Sequence, residues 1–254
     1  MDATAVEHEL VETAPPPAPP KVAYRHRLPT RIWHWVNAIT IFVMLMSGLM
    51  ILNAHPRLYW GQYGANFDHA WIDFGPRPFP SWATIPSTYN LAAARIWHFA
   101  FAWVLVTGLI AFLLISLWNR HVQHDLAPTR DELAPSHLWH DIKEHARLHF
   151  PTGDAALRYN TLQKISYVAV IFVLLPLIIL TGLTMSPSMD AAWPWLLDLF
   201  GGRQSARSIH FICAAAILAF IIVHLVMVLL AGPINEIWSM ISGRFRVPAE
   251  RSGS

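Results

Sequence analysis

Cysteine is nearly absent. Cys213 is the only one among 254 residues, which excludes an internal disulfide, a Cys-X-X-Cys-His haem attachment and a cysteine-ligated iron–sulfur cluster. Charge is scarce as well. Asp, Glu, Lys and Arg make up 13% of the chain, about half the ~25% usual for soluble domains. With 54% hydrophobic residues, this excludes a disordered chain and argues against a water-soluble globule. The net charge of +2 comes from basic groups beside apolar runs and gives no footing for nucleic acid. Residues 32–52, 96–118, 165–185 and 209–230 contain no Asp, Glu, Lys or Arg at all. At ~1.5 Å of helical rise per residue each block reaches about 32–35 Å, enough to cross a hydrocarbon core of about 30 Å. The expected fold is an all-α membrane protein, a four-transmembrane-helix bundle.

Residues 1–23 carry Asp2, Glu7, Glu9 and Glu12 and a proline-rich run from Pro15 to Pro20. That charge has the wrong sign for the start of a signal peptide, so the first span is expected to stay, behind a disordered proline-rich tail. Lys and Arg set the orientation of the spans. Of the 18, 13 lie in the N-terminal segment, residues 119–164 and the C-terminal tail; the other two connections hold five. Both termini and the middle loop are therefore expected to be cytoplasmic, with residues 24–246 as the four-span domain and 247–254 as a short tail.

Residues 53–90 gather Trp60, Tyr63, Phe67, Trp71, Phe74, Phe79, Trp82 and Tyr89. Such rings form either an interfacial aromatic belt or a docking platform for an extracytoplasmic partner, and the sequence leaves both open. In residues 119–164 a cytoplasmic amphipathic helix is expected after Pro135, with Ser136 as N-cap. Trp139, Ile142, Ala146 and Phe150 lie on its apolar side, directed at the membrane surface. The same helix repeats His137, Asp141, His145 and His149 at steps of four, near His121, His124 and His140. A metal site and a solvated face are the alternatives, and solvation is the simpler one. Pro176 interrupts the third block and implies a kink.

The spans contain four histidines, His34, His98, His210 and His224. Ionisable groups inside a membrane are costly and point to function, although any one of them alone is explained by an interfacial hydrogen bond. Their depths carry more information. His34 opens the first span at the cytoplasmic side, while His98 and His210 open the second and fourth at the outer side. His224 follows His210 by fourteen residues, about 21 Å deeper and within about 40° of the same direction. Two His–His pairs at two depths result, His98 with His210 and His34 with His224. Neutral imidazoles facing each other in an apolar bundle suit bis-histidine haem b. Zinc requires three or four ligands at one depth, and a proton relay more often includes an intramembrane carboxylate.

Arg31-Ile32-Trp33-His34 recurs as Arg95-Ile96-Trp97-His98 and loosely as Arg207-Ser208-Ile209-His210. Each arginine precedes its histidine by three positions, hence on nearly the same face and one turn nearer water. There Arg31, Arg95 and Arg207 are placed either to pair with haem propionates or to snorkel as topology anchors. Gly48, fourteen residues after His34, faces the bundle at the depth of the outer pair, where a missing side chain lets a porphyrin approach or lets helices pack.

This layout of histidines, with Arg31-Ile32-Trp33-His34 and with Tyr159-Asn160-Thr161-Leu162-Gln163-Lys164 leading into the third span, resembles a family over roughly residues 24–246. The family comprises the integral membrane cytochrome b subunits of bacterial respiratory complexes: the nickel–iron hydrogenase cytochrome b subunit and the gamma subunits of formate dehydrogenase and thiosulfate reductase. The resemblance implies two b-type haems ligated by the four histidines in the bacterial inner membrane. It further implies a relay of electrons between an extracytoplasmic catalytic subunit, of hydrogenase or molybdopterin type, and membrane quinone near the cytoplasmic haem. By position, Asn37, Asn160, Gln163, Lys164 and Tyr167 are candidate quinone contacts, with a helix cap, a loop bond or an interfacial anchor as the simpler alternative for each. The 53–90 loop is longer than expected for the formate dehydrogenase branch. Two other readings compete: a stand-alone di-haem quinone-linked oxidoreductase acting on a small external redox molecule, and a haem-free anchor or transporter. The spans lack the midplane charges and broken helices usual in transporters, apart from Pro176.

Overall fold

The computed structural model describes residues 21–248 except Asn66 and His149. The expected disorder of the proline-rich tail and the final C-terminal residues lie outside the described residues. Strand β1 (Val22–Tyr24) leads into α1 (Leu28–Ala54). A connection containing the two-residue strands β2 (Arg57–Leu58) and β3 (Ile72–Asp73) follows, then α2 (Leu91–Trp118). The next connection holds α3 (Pro135–Ala146) and delivers the chain to α4 (Thr161–Ala169), which continues through a π-helical stretch, Val170–Leu174, into α5 (Leu175–Met185). Two short helices, α6 (Pro187–Ala192) and α7 (Pro194–Leu199), precede α8 (Arg203–Ala231), α9 (Pro233–Ser242) and β4 (Arg244–Arg246). Four helical segments are long and apolar enough to cross a membrane, at the positions of the four charge-free blocks.

Each span is longer than its apolar block because capping residues and arginines carry the helix one or more turns into the polar zone. Asn90 caps α2 by accepting from the Ala93 amide at 3.0 Å. Asn160 and Gln163 close a capping box at the start of α4, satisfying two of the amides that a helix start leaves unpaired. Pro176 sits in the first turn of α5, and the π stretch lies directly before it. Proline removes one amide donor and crowds the carbonyl four residues back. The wider turn relieves both, since the Leu175 amide reaches back five residues to the Val170 carbonyl. The expected kink therefore takes the form of a π segment.

β1 and β4 pair antiparallel, Val22 opposite Arg246, which brings both ends of the described chain to one end of the bundle, here the terminal pole. The folded body thus begins before residue 24, with Val22 and Ala23 in a strand where the sequence leads one to expect tail. The opposite end, the loop pole, carries the connection between α1 and α2. Close backbone approach is concentrated within two pairs, α1 with α2 and α5 with α8. One apolar cluster holds the pairs together: Ile41, Leu105, Leu109, Leu175, Ile178, Cys213 and Ile217.

Helix α3 departs from expectation at its start. Ala134, not Ser136, is the N-cap, and it makes no side-chain bond. Pro135 takes the first helical position, where its missing N–H costs nothing. The helix ends at Ala146, and Leu148 adopts a left-handed φ of 57°, so Phe150 lies beyond it. Trp139 and Ile142 are exposed, while His137 and His145 on the other side bond to Thr161 and Asn160.

At the loop pole, residues 55–90 are fastened to the helix ends. Asn53 exchanges two hydrogen bonds with the Phe79 backbone, both at 2.9 Å. Gly61 accepts from the amides of Gln204 and Ser205, and Trp71 Nε1 donates to Ser208 Oγ at 2.9 Å. Gly202 begins α8 at φ 107°, and a Cβ there would lie 2.7 Å from the Gln62 backbone. Gly202→Ala combines left-handed strain with a backbone clash, each on the order of 1–3 kcal/mol. The expected result is a thermal unfolding midpoint several degrees below wild type, measured by circular dichroism in detergent.

Candidate functional site

Two pairs of imidazoles cross the space between the helix pairs. Toward the loop pole, His98 of α2 faces His210 of α8 with ring centroids 6.2 Å apart. Toward the terminal pole, His34 of α1 faces His224 of α8 at 6.3 Å. The planes of each pair are tilted by 59°. Because His210 and His224 share α8, one helix supplies a ligand candidate to each level.

The loop-pole pair is tightly seated. Ser47 donates to the Val43 carbonyl at 2.7 Å, and its oxygen lies 3.0 Å from His98 Nδ1. Thr181 donates to the Leu177 carbonyl at 2.8 Å, and its oxygen lies 3.1 Å from His210 Nδ1, which is also 3.0 Å from the Ile178 carbonyl. A carbonyl can only accept, so His210 carries its proton on Nδ1 and presents a lone pair on Nε2. Glycine follows each hydroxyl. A Cβ at Gly48 would stand 3.5 Å from His98 Cε1, and one at Gly182 would stand 3.4 Å from His210 Cε1.

The terminal-pole pair has a different surround. Arg31 Nε, His34 Nδ1 and Asn37 Oδ1, spaced by three along one face of α1, are buried without a hydrogen-bond partner among the described residues. Trp33 closes one side, stacking on Phe112 at 5.3 Å over Gly108. His224 stacks on Phe220 at 5.8 Å; Phe220 meets Tyr167, and Tyr167 meets Tyr159. The Tyr159 hydroxyl reaches His26 Nδ1 at 3.4 Å. A largely buried ion pair, Arg25 to Glu236 at 3.1 Å, stands beside this aromatic chain.

A metal–imidazole bond of about 2.0–2.1 Å, plus about 1.1 Å from nitrogen to ring centre, sets two ligating rings roughly 6.3 Å apart across one ion. Both pairs match this spacing. No group of three or more His, Cys, Asp or Glu able to hold a metal occurs among the described residues, so the ligand number suits a planar cofactor that fills the remaining positions itself. The unpaired buried atoms on α1, the glycines that leave the rings clear and the Nδ1-bonded tautomer all fit b-type haem between each pair.

The three repeated arginines divide between the poles. Arg31 lies at the terminal pole, where a Cβ on Gly243 would come 3.1 Å from its guanidinium. Arg95 and Arg207 lie at the loop pole near His55, whose carbonyl accepts from Arg207. Burial first, then Arg207 and Arg95, hold the His55 imidazole below its ordinary pKa. No carboxylate among the described residues pairs with Arg31, Arg95 or Arg207, so their charge is available to an anionic ligand.

The quinone candidates separate into two groups. Asn160 and Gln163 are engaged in the capping box, with Asn160 Nδ2 also 3.0 Å from His145 Nε2. Lys164 donates to Glu132 at 2.7 Å. Asn37 and Tyr167 stay on the interior side, near the terminal-pole pair. Of the other histidines in residues 119–164, His121, itself buried, pairs with Asp125 at 2.6 Å and His137 lies 3.7 Å from Asp141. His149 lies outside the described residues.

A four-helix membrane bundle whose facing helices hold two tiers of paired imidazoles has the architecture of a membrane b-type cytochrome. The family model described as prokaryotic cytochrome b561 matches residues 25–243, and the chain belongs to that family. It is a cytochrome b561-type membrane electron-transfer subunit, of a family that carries b-type haem. It is similar to a putative protein-methionine-sulfoxide reductase subunit, YedZ1, of Azospira oryzae: 29% identical over 203 residues, covering 79% of this chain and 87% of that one. It is also similar to probable Ni/Fe-hydrogenase B-type cytochrome subunits. The one from Cupriavidus necator is 23% identical over 236 residues, covering 88% of this chain and 86% of that one; the one from Azotobacter vinelandii is 23% identical over 214 residues, covering 79% and 78%. No solved structure matches the chain.

Sequence reasoning missed Ser47, Thr181 and Gly182, although a signal was present: Ser47-Gly48-Leu49 and Thr181-Gly182-Leu183 repeat a hydroxyl–glycine–leucine triplet. His26, His55 and Glu236 lie outside the apolar blocks, and only the folded chain brings them to the two poles. His26 is 7% exposed, and burial, then the Arg25 charge, lower its pKa from 6.5 to about 4. Between those values the unfolded chain binds a proton at His26 that the folded chain refuses, so stability falls as pH is lowered from 6.5 to 4 and levels off below. The whole effect is about 3 kcal/mol. His26→Gln is expected to flatten that part of the stability profile, measured by denaturation in detergent at pH 7 and pH 4.5.

Proposed function

We propose that the chain is a di-haem relay. His98 with His210 and His34 with His224 each act as axial ligands to one b-type haem, linking a redox partner at the loop pole to membrane quinone at the terminal pole. The observation that carries this reading is the recurrence, at two depths, of an imidazole pair with the spacing two ligands to one iron require. Bound haem supplies reversible one-electron chemistry; the protein holds it and tunes it. Arg95 and Arg207 form a cationic cradle for propionates at the loop pole, and Arg31 serves the terminal pole. The Asn37 amide and the Tyr167 hydroxyl are the best-placed quinone contacts, since Asn160, Gln163 and Lys164 already have partners in the fold. In purified protein grown with ample iron and haem precursor, pyridine haemochrome assay is expected to give two haem b per chain. His98→Ala or His210→Ala is expected to give one. One haem in wild type, or two in both variants, defeats the pairing.

The excess of Lys and Arg at the terminal pole favours a cytoplasmic location for both termini in the bacterial inner membrane. The loop pole then faces outward and presents Trp60, Tyr63, Phe67 and Trp82, all more than half exposed. Rings fixed on a fastened loop suit a protein interface. The names of the relatives indicate the partner's class, a hydrogenase-type or methionine-sulfoxide-reductase-type redox subunit, with a molybdopterin oxidoreductase among the candidates. Cys213 is buried, so added cysteines report topology cleanly. In intact spheroplasts, Phe67→Cys is expected to react with a membrane-impermeant maleimide and Arg130→Cys to be protected until lysis. The reverse pattern inverts the orientation.

A further inference from the structure

The two imidazole pairs differ in what holds the Nδ1 side of each ring. At the loop pole both Nδ1 atoms have acceptors, Ser47 Oγ for His98 and the Ile178 carbonyl with Thr181 Oγ1 for His210. Both hydroxyls have their own protons committed to helix carbonyls, so their oxygens are left to accept. Among the described residues at the terminal pole, His34 Nδ1 is buried without a hydrogen-bond partner, and His224 makes ring contacts with Phe220 and His34 but no hydrogen bond. An acceptor on Nδ1–H draws positive charge from the ring and strengthens Nε2 as a donor to iron. A stronger donor favours the ferric state, and hydrogen bonding of this kind is one of the protein's levers on haem potential.

We propose that Ser47 and Thr181 are positioning residues that set the loop-pole haem at a lower midpoint potential than the terminal-pole haem. The inference rests on the reading above, one haem per imidazole pair. The hydroxyl–glycine pairs Ser47-Gly48 and Thr181-Gly182 each do two jobs at one helical turn: the hydroxyl fixes the ring's tautomer and donor strength, and the glycine keeps the ring edge clear. At the terminal pole the same hydroxyl–glycine sequence occurs as Thr107-Gly108, but Thr107 donates to the Trp103 carbonyl and Gly108 abuts Trp33, so among the described residues it seats neither imidazole. The ordering favours an electron residing at the terminal pole once both sites are loaded.

The test is an optical redox titration of the purified haem-loaded protein, with haem counted on the same samples. Wild type is expected to give two separate waves, and His210→Ala to lose the lower one. Ser47→Ala is expected to shift the lower wave to higher potential and leave the upper wave in place, while Ser47→Thr, which keeps the hydroxyl, restores the wild-type position. Thr181→Val is expected to move the same wave by less, because the Ile178 carbonyl still accepts from His210. If Ser47→Ala loses its loop-pole haem, the Thr181→Val and Thr181→Ser comparison decides the matter. Two haems with neither wave displaced in these variants, or displacement of the upper wave, overturn the inference while leaving the di-haem reading intact. A wild-type count of one haem overturns both, and the haemochrome value tells the two failures apart.

Discussion

In a bundle core that excludes water, a polar side chain must find its partner within the protein or within what the protein binds. That constraint governs the arrangement of the four intramembrane histidines. Each brings two nitrogens into an apolar setting, and one nitrogen at most can be satisfied by its own seat. At the loop pole the seat is a hydroxyl or carbonyl on the neighbouring helix, which leaves Nε2 directed across the space between the helix pairs. The rings are too far apart to bond to each other across that space. A lone pair so placed is stable only with a metal or another donor against it, and a metal porphyrin is the apolar body whose centre offers one.

The packing of the spans serves the same end. α1 lies close to α2 and α5 close to α8, while the histidines reach from one pair to the other. Had the four helices packed uniformly, His98 and His210 would stand inside a closed apolar core with no space between their rings. Gly48 and Gly182 preserve that space at the ring edges. The fastening of the 55–90 loop to the end of α1 through Asn53, and to the start of α8 through Gly61, Gln62, Trp71 and Gly202, then holds the loop-pole ends of the two helix pairs at a fixed separation.

Much of this was legible in the sequence because it depends on long repeats of simple pattern. Charge-free blocks mark the spans, and the fourteen-residue step from His210 to His224 marks a shared helix face. Together with span direction these are enough to pair the histidines, since helical rise and rotation hardly vary within a membrane. The supporting contacts were harder to read. Ser47 and Thr181 resemble any small hydroxyl in an apolar run until the neighbouring helix supplies an imidazole. Asn160, Gln163 and Lys164 were plausible ligands by depth, yet the local demands of a helix start and the nearby Glu132 carboxylate claim them first. Ser136 failed as a cap because Pro135, fixed in φ and lacking an amide, is better suited to open the helix than to precede it.

The two poles also differ electrically. At the loop pole Arg95 and Arg207 bring two positive charges together with no carboxylate among the described residues to offset them, whereas at the terminal pole Arg25 is neutralised by Glu236 in a largely buried pair and Arg31 is the single repeated arginine left without one. Uncompensated cations near a redox centre stabilise the reduced, less positive state, so this distribution alone would raise the loop-pole potential. Propionates bound in that cradle would cancel much of the excess, because two carboxylates meet two guanidinium groups at short range. Once those charges are matched, the remaining distinction between the sites is the hydrogen bonding of the axial rings. A contact of one hydroxyl with one ring nitrogen can then decide between the poles, because the low-dielectric interior screens it little.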